Sequence, residues 1–444
     1  MTYYFKVQPG LSKEIVRQIS EQKEEPVWMT QFRLEALDTF LSMQMPSWGP
    51  NLSNLDFDLL CYYLKSIEHP ELSWNALPPI ICDTFSCLGL PEAEKKFLAG
   101  VGAQYESEVV YKKLRQEWEA QGVIFVDTDT ALKQYPDLFK RYFSQLVLSD
   151  DNKFAALNSA VWSGGSFIYI PPGVHVTMPL QAYFSMQSPQ LGQFERTIIV
   201  ADKGSSVHYI EGCSARYHSV YSLHSAVVEL YAHENSHIRY TTIQNWSRII
   251  YNLVTKRACA YRNATIEWVD GNFGSAVTVK YPSIILKESG ARGLLISLST
   301  AGKGQCQDTG GSMIHEASKT YSHILCKSIS KDGGCVTFRG KIRCNKGVDE
   351  VNASMQCNSL LLDEQSHAQS IPMITTKSDG VAINHEASIG AIDQDQLFYC
   401  MSRGLDKSHA RALIVTGFID AFVRELPVEY AIEIDRIIGM KNEL

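Results

Sequence analysis

The sequence predicts a mainly β protein: a right-handed parallel β-helix core flanked by helical regions at both ends. Three observations carry this. Between about residues 160 and 390 the chain consists of short alternating runs with almost no helical spacing. These runs are bounded by turns of similar shape: Gly204-Ser205-Ser206-Val207, Asn235-Ser236-His237-Ile238, Asn263-Ala264-Thr265-Ile266 and Ala291-Arg292-Gly293-Leu294. The aliphatic residue after each turn recurs at 207, 238, 266 and 294, intervals of 31, 28 and 28. Many short strands at one long period suggest stacked coils, in which each coil buries its apolar face on the next. Strand spacing alone leaves a Greek-key barrel as the runner-up.

The flanks read differently. Residues 1–155 form an N-terminal helical region. Phe32 to Leu41 carries apolar residues at helical spacing until Pro46, Pro91 to Gly100 is a short helix, and Leu132 to Leu146 has an aromatic face. Residues 156–390 are the β-helix core. Residues 391–444 return to helix: Asp395 to Arg403 stops at Gly404, Asp406 caps a helix to about Arg424, and Pro427 opens a last one to Ile438. Leu413, Ile414, Phe418, Ile419 and Phe422 are more apolar than an exposed tail needs, so this region either caps the solenoid end or meets a partner.

The chain has 444 residues and a net charge of 41 − 48 = −7, with no basic run, which argues against nucleic acid or anionic membrane as main partner. Its start lacks an apolar signal core, and no stretch approaches 18 uninterrupted apolar residues. The expectation is a cytoplasmic protein. Eleven cysteines without a CxxC pair fit neither zinc fingers nor a disulfide framework, so most read as small core hydrophobes.

Two cysteines rise above that background. Cys213 follows glycine at a strand end, a place where a thiol is open enough to react. Cys357 precedes the pair His385-Glu386 by 28 residues, one coil at the apparent period, which would stack thiol and imidazole on rungs about 4.8 Å apart. Such a cluster suits a soft transition metal or a nucleophile with its base. Cys213 and Cys357 are 144 residues apart, close to five coils, with Gln244, Trp246 and Lys256 falling between as candidates to line an internal route. The literal zinc-protease match His233-Glu234-Asn235-Ser236-His237 spans a turn, so its histidines are not expected to converge.

Gln193-Phe194-Glu195-Arg196-Thr197, Ile210-Glu211-Gly212-Cys213, Gln244-Asn245-Trp246, Lys280-Tyr281-Pro282-Ser283, His385-Glu386-Ala387-Ser388 and Glu425-Leu426-Pro427-Val428-Glu429-Tyr430 together resemble the SufB family, scaffold subunits for iron–sulfur cluster assembly. The resemblance runs from about residue 26 to the C-terminus. It implies a non-enzymatic scaffold that accepts sulfane sulfur at Cys213 and passes it along a route lined by Gln244, Trp246 and Lys256. A transient iron–sulfur cluster would form at Cys357 with His385 and Glu386, the metal being held by Cys357 and Glu386. Implied partners are a SufC-type ATPase docking on the C-terminal helices, a SufD-type subunit, SufS/SufE-type sulfur donors and apo iron–sulfur proteins; a reduced flavin as electron donor stays open. Ser185, Gln187 and Asn384 depart from the family pattern. Those departures favour a rival, a SufD-like structural subunit without sulfur chemistry. A further rival is a β-helix hydrolase using Cys357 with His385.

Overall fold

The computed structural model describes residues 3–71, 73–87, 90–215 and 220–426, with the Cys87 side chain excepted. Two sheets of stacked strands form a parallel β-helix. Strands of the first sheet follow one another as Leu180–Met186, Ser206–Ala215, His237–Trp246, Thr265–Gly274, Arg292–Ala301, Tyr321–Ser330, Val351–Leu361 and Val381–Ala391. The second sheet runs from Phe167–Ile170 through Arg196–Ala201, Val227–Ala232, Ile250–Ala260, Val277–Lys280 and Cys306–His315 to Cys335–Cys344 and His367–Thr376. Each coil contributes to both sheets, and the aliphatic ladders Val207–Ile238–Ile266 and Ile199–Leu230–Ala258–Ile284 fill the space between them.

The turns behave as their residues dictate. Asn235 (φ 58°) and Asn263 (φ 54°) adopt the left-handed conformation that asparagine tolerates, and Asn263 Nδ2 reaches Asn235 Oδ1 on the coil below at 3.2 Å. One expectation needs correction. Ile266 pairs with Gly293, not with Leu294, so this coil is one residue shorter than the predicted interval and Leu294 lies on the opposite side of its strand. Later coils are longer: Gly293 stacks on Ser322, Ser322 on Ala353 and Ala353 on Ile383.

The N-terminal stretch supplies helices and strands. Lys13–Gln22 is capped by Ser12, whose hydroxyl accepts from the Ile15 N–H, and Val27–Ser42 packs on the helix Lys153–Val161, buried from Phe154 onward. Buried Arg33 holds these together, donating to Glu25 at 2.6 and 2.7 Å and to the Trp162 carbonyl at 2.9 Å. Gly100–Tyr105 and Glu108–Leu114 extend the first sheet beyond its first coil. The predicted helix over 132–146 is two, Thr128–Gln134 and Pro136–Tyr142, because Pro136 cannot continue the first.

At the other end, Gln394–Ser402 stops at Gly404 (φ 99°), and the Asp406 carboxylate caps Lys407–Val423 by accepting from the N–H groups of Ser408 and His409. Val415, Ile419 and Phe422 pack on Ile210, Ile243, Val269 and Leu298, which face outward from the first sheet. The helix therefore lies along the flank of the solenoid, not across its end. Among the described residues, Leu413 on this helix is 56% exposed and Phe398 on the preceding helix 73%. The last coil, His367–Thr376 and Val381–Ala391, is also largely exposed. The expected helix from Pro427 to Ile438 lies outside the described residues.

Candidate functional site

In-register parallel strands stack side chains in ladders, and two neighbouring ladders inside the coil are polar. One climbs Cys213, Gln244, Asn272, Ser299, Ser328 and Ser359. The other, two residues earlier on each strand, climbs Glu211, Thr242, Asp270, Ser297, Cys326 and Cys357. Strand periodicity puts both on the inward face. The thiols that the sequence places on one phase thus stand on adjacent ladders, five rungs apart.

The second sheet answers with cations. Lys256 Nζ donates to Thr242 Oγ1 at 2.6 Å and to Asp270 Oδ1 at 3.2 Å, and Lys280 Nζ reaches Asp270 and the Gln244 carbonyl oxygen, both at 3.3 Å. Burial pushes the Lys280 ammonium down to about 8. Burial also opposes ionisation of Asp270, but Lys256 and Lys280 overcome it and hold the carboxyl below its ordinary range. Asn252 links Gln244 to His224, which in turn contacts Glu195, and the Trp246 ring lies 4.6 Å from the His224 ring. Gln244 Nε2, Trp246 Nε1 and Asn272 Oδ1 are buried without a protein hydrogen-bond partner. Such orphans are costly in a finished core, and Gln244 and Asn272 stand on adjacent rungs of one ladder.

Cys213 departs from expectation. It is 1% exposed, and burial pushes its thiol well above the ordinary value, aided by Glu211 and Glu195; Lys256 and Lys280 pull the other way without prevailing. Glu211 Oε1 lies 3.8 Å from its Sγ. A strand end open to solvent was the wrong picture, because the first sheet continues past Cys213 on both sides, to Phe184 and Gln244.

At the far end the coil is two residues longer than the apparent period. Cys357 therefore stacks on Ala387, while His385 stacks on Met355. Glu386 stacks on Gln356 and points to the opposite face from Cys357. Among the described residues, no group of three or more His, Cys, Asp or Glu side chains is placed to hold a metal ion. What does meet Cys357 is Cys326, one rung below. The neighbouring Cys326 thiol holds the Cys357 thiol below the ordinary range, against burial.

Cys326 is the residue that sequence reasoning missed, set aside as a core hydrophobe although it lies one coil before Cys357. A second in-register pair, Cys306 and Cys335, sits half-exposed on the outer face. Ser185 lies on the opposite side of its strand from Phe184, the residue below Cys213, and Gln187, just past the strand end, donates from Nε2 to Ser185 Oγ at 2.7 Å. Asn384 is exposed on the last coil, over Ser354. His233 contacts the Tyr142 hydroxyl and His237 contacts Glu267, each at 2.9 Å, so the protease-like histidines do not converge.

Comparison with known proteins agrees with this architecture. Residues 184–418 match the family model for the SUF system FeS cluster assembly SufBD core domain, and residues 14–182 match the SufBD protein N-terminal region. The chain is 51% identical over 439 residues to the iron-sulfur cluster assembly protein SufB of Bacillus subtilis, covering 99% of this chain and 94% of that one. Iron-sulfur cluster assembly SufBD family proteins of Staphylococcus saprophyticus and Staphylococcus epidermidis are each 52% identical over the same shares. No helix among the described residues is long and apolar enough to cross a membrane. With both family regions matched along nearly its whole length, this chain belongs to the SufBD family of the SUF system of iron–sulfur cluster assembly.

Proposed function

We propose that this chain is a cluster-assembly scaffold that takes sulfane sulfur at Cys213 and delivers it through the coil interior to Cys357. The carrying observation is the pair of polar ladders joining those two thiols over five rungs, about 24 Å at ~4.8 Å per rung. Sulfane sulfur moves by thiolate attack on a sulfur–sulfur bond. At Cys213 the proton must first leave a thiol that burial makes reluctant, and Glu211 is the carboxylate at hand. Beyond it, the ammoniums of Lys256 and Lys280 offer positive charge to a passing sulfur anion, while Gln244, Trp246 and Asn272 offer unpaired polar atoms.

The cluster is cargo, built where the route ends. Cys357 supplies the thiolate favoured by cluster iron, and imidazole is a known substitute ligand. His385 shares the inward face with Cys357 on the next rung, two residues out of register, while Glu386, next in the chain, is turned to the opposite face of that exposed strand. One chain thus offers an open donor set at an uncovered strand edge, a natural seat for a SufD-type subunit that completes the site. A SufC-type ATPase would dock on the open side of the C-terminal helices, where Phe398, Tyr399 and Leu413 are exposed. SufS/SufE-type donors would supply sulfur, and apo iron–sulfur proteins would receive the product.

The test is anaerobic reconstitution with partners, followed by charge-transfer absorption. Cys357→Ala should largely abolish the spectrum obtained with iron and sulfide. Cys213→Ala should leave that spectrum intact and block only assembly driven by a desulfurase. If neither substitution changes either experiment, the chain is a structural subunit instead.

A further inference from the structure

Cluster sulfide is two electrons more reduced than sulfane sulfur, so a scaffold that receives persulfide must gain those electrons somewhere. Cys326 and Cys357 are register partners on adjacent rungs, both inward and both 2% exposed. Rungs ~4.8 Å apart fall inside the Cα separation a disulfide accepts, about 4.4–6.8 Å. The other thiol station differs: Cys213 has Phe184 and Gln244 as its ladder neighbours. The Cys306–Cys335 pair lies on the outer face, away from the ladders. Only at the end of the polar route would an arriving persulfide meet a second thiol.

We propose that Cys326 is the resolving thiol that converts sulfane sulfur on Cys357 into sulfide, an inference that rests on the delivery of sulfur to Cys357. Cys326 Sγ attacks Cys357 Sγ of the persulfide. The bond from Cys357 Sγ to the terminal sulfur breaks, and a Cys326–Cys357 disulfide forms. The terminal sulfur leaves with its own proton and the one from Cys326, as hydrogen sulfide. Each cysteine sulfur is oxidised by one electron and the departing sulfur is reduced by two, so the step balances without an outside reductant. The resolving thiol stands one rung away, so the intramolecular step comes before attack by an outside thiol. A low-molecular-weight thiol then reopens the disulfide by slower exchange.

The experiment uses the full chain, reduced and anaerobic, treated with inorganic polysulfide, freed of excess, and followed by sulfide release and peptide mass mapping. With the outer pair removed by Cys335→Ser in both proteins, the otherwise wild-type chain should release about one sulfide per chain and acquire the Cys326–Cys357 disulfide. Cys326→Ser, which keeps size and polarity, should hold an added sulfur on Cys357 and release at least about tenfold less sulfide. If that chain and its Cys326→Ser variant hold the same persulfide and release sulfide equally, Cys326 is not the resolving thiol, and delivery to Cys357 stands. If Cys357 takes up no sulfur in either protein, the delivery reading falls and the resolving role falls with it.

Discussion

The ammonium of Lys256 stands 3.2 Å from the Asp270 carboxylate in the interior of the coil, where neither side chain is more than 2% exposed. Asp270 also faces Lys280 at 3.3 Å, so one carboxylate serves two cations. Removing one partner of a buried pair leaves an uncompensated charge, at a cost of about 3–5 kcal/mol. Asp270→Ala strands both ammoniums and should lose that much stability by chemical denaturation. Lys256→Met leaves Asp270 its second cation and should cost distinctly less. Equal losses would show that Lys280 does not share the charge.

Glu106 links stability to pH. It is fully buried, and burial pushes its carboxyl up to about 7 although Ser188 and the Gln187 N–H donate to it. A folded-state value above the unfolded one means that the native state holds the proton more tightly. The favourable contribution is then complete below about 4.5 and is lost as pH rises to about 7, roughly 3 kcal/mol in all. Glu106→Gln should flatten this dependence, read as denaturation midpoints at about pH 5 and about pH 7.5. A slope unchanged in the variant would assign the effect elsewhere.

Cys335 should be the most reactive thiol at neutral pH. A hydrogen bond from Cys306 brings it down to about 6 against burial, and His367 on the next rung adds to the effect. Alkylation of this half-exposed side chain should rise through about pH 6 and level off above about pH 7. Cys306→Ala removes the donor and should move the profile up toward that of an ordinary thiol. Mass mapping after brief iodoacetamide exposure reads both outcomes.

Gly274, one rung above Trp246, tests how tightly neighbouring coils pack there. Its φ is 81°, and an added Cβ would lie 1.7 Å from the Trp246 carbonyl oxygen. Gly274→Ala should cost at least about 2 kcal/mol and perturb Trp246 fluorescence. Gly204 has a similar φ of 67° with nothing within 4 Å of the added atom. Gly204→Ala should cost only the intrinsic penalty of about 1–2 kcal/mol, leaving Trp246 unchanged.

Much of the coil was legible because its signals are local. Asn235 and Asn263 mark turns through their own backbone preference, Asp406 caps a helix with its own side chain, and Gly404 ends one. Register was not legible, because it depends on how much chain each coil spends between strands. Coil length varies along the solenoid, short from Ile266 to Gly293 and longer from Val207 to Ile238 and from Ser322 to Ala353. A slip of one residue turns a side chain to the other face, and a slip of two moves it a full ladder along. That arithmetic explains Leu294, and it separates His385 from Cys357.

Sequence alone determined the parallel coil, the helical ends, the spacing of Cys213 and Cys357 at about five coils and the residue types between them. Tertiary structure decided which side chains share a ladder: it put Cys326 beneath Cys357, seated His385 over Met355 and turned Glu386 away. It also decided the chemistry of Cys213, since a thiol's acidity follows from what buries it and which charges surround it. Beyond Glu211, two residues away on the same strand, those surroundings come from Glu195, Lys256 and Lys280, which only folding brings to Cys213.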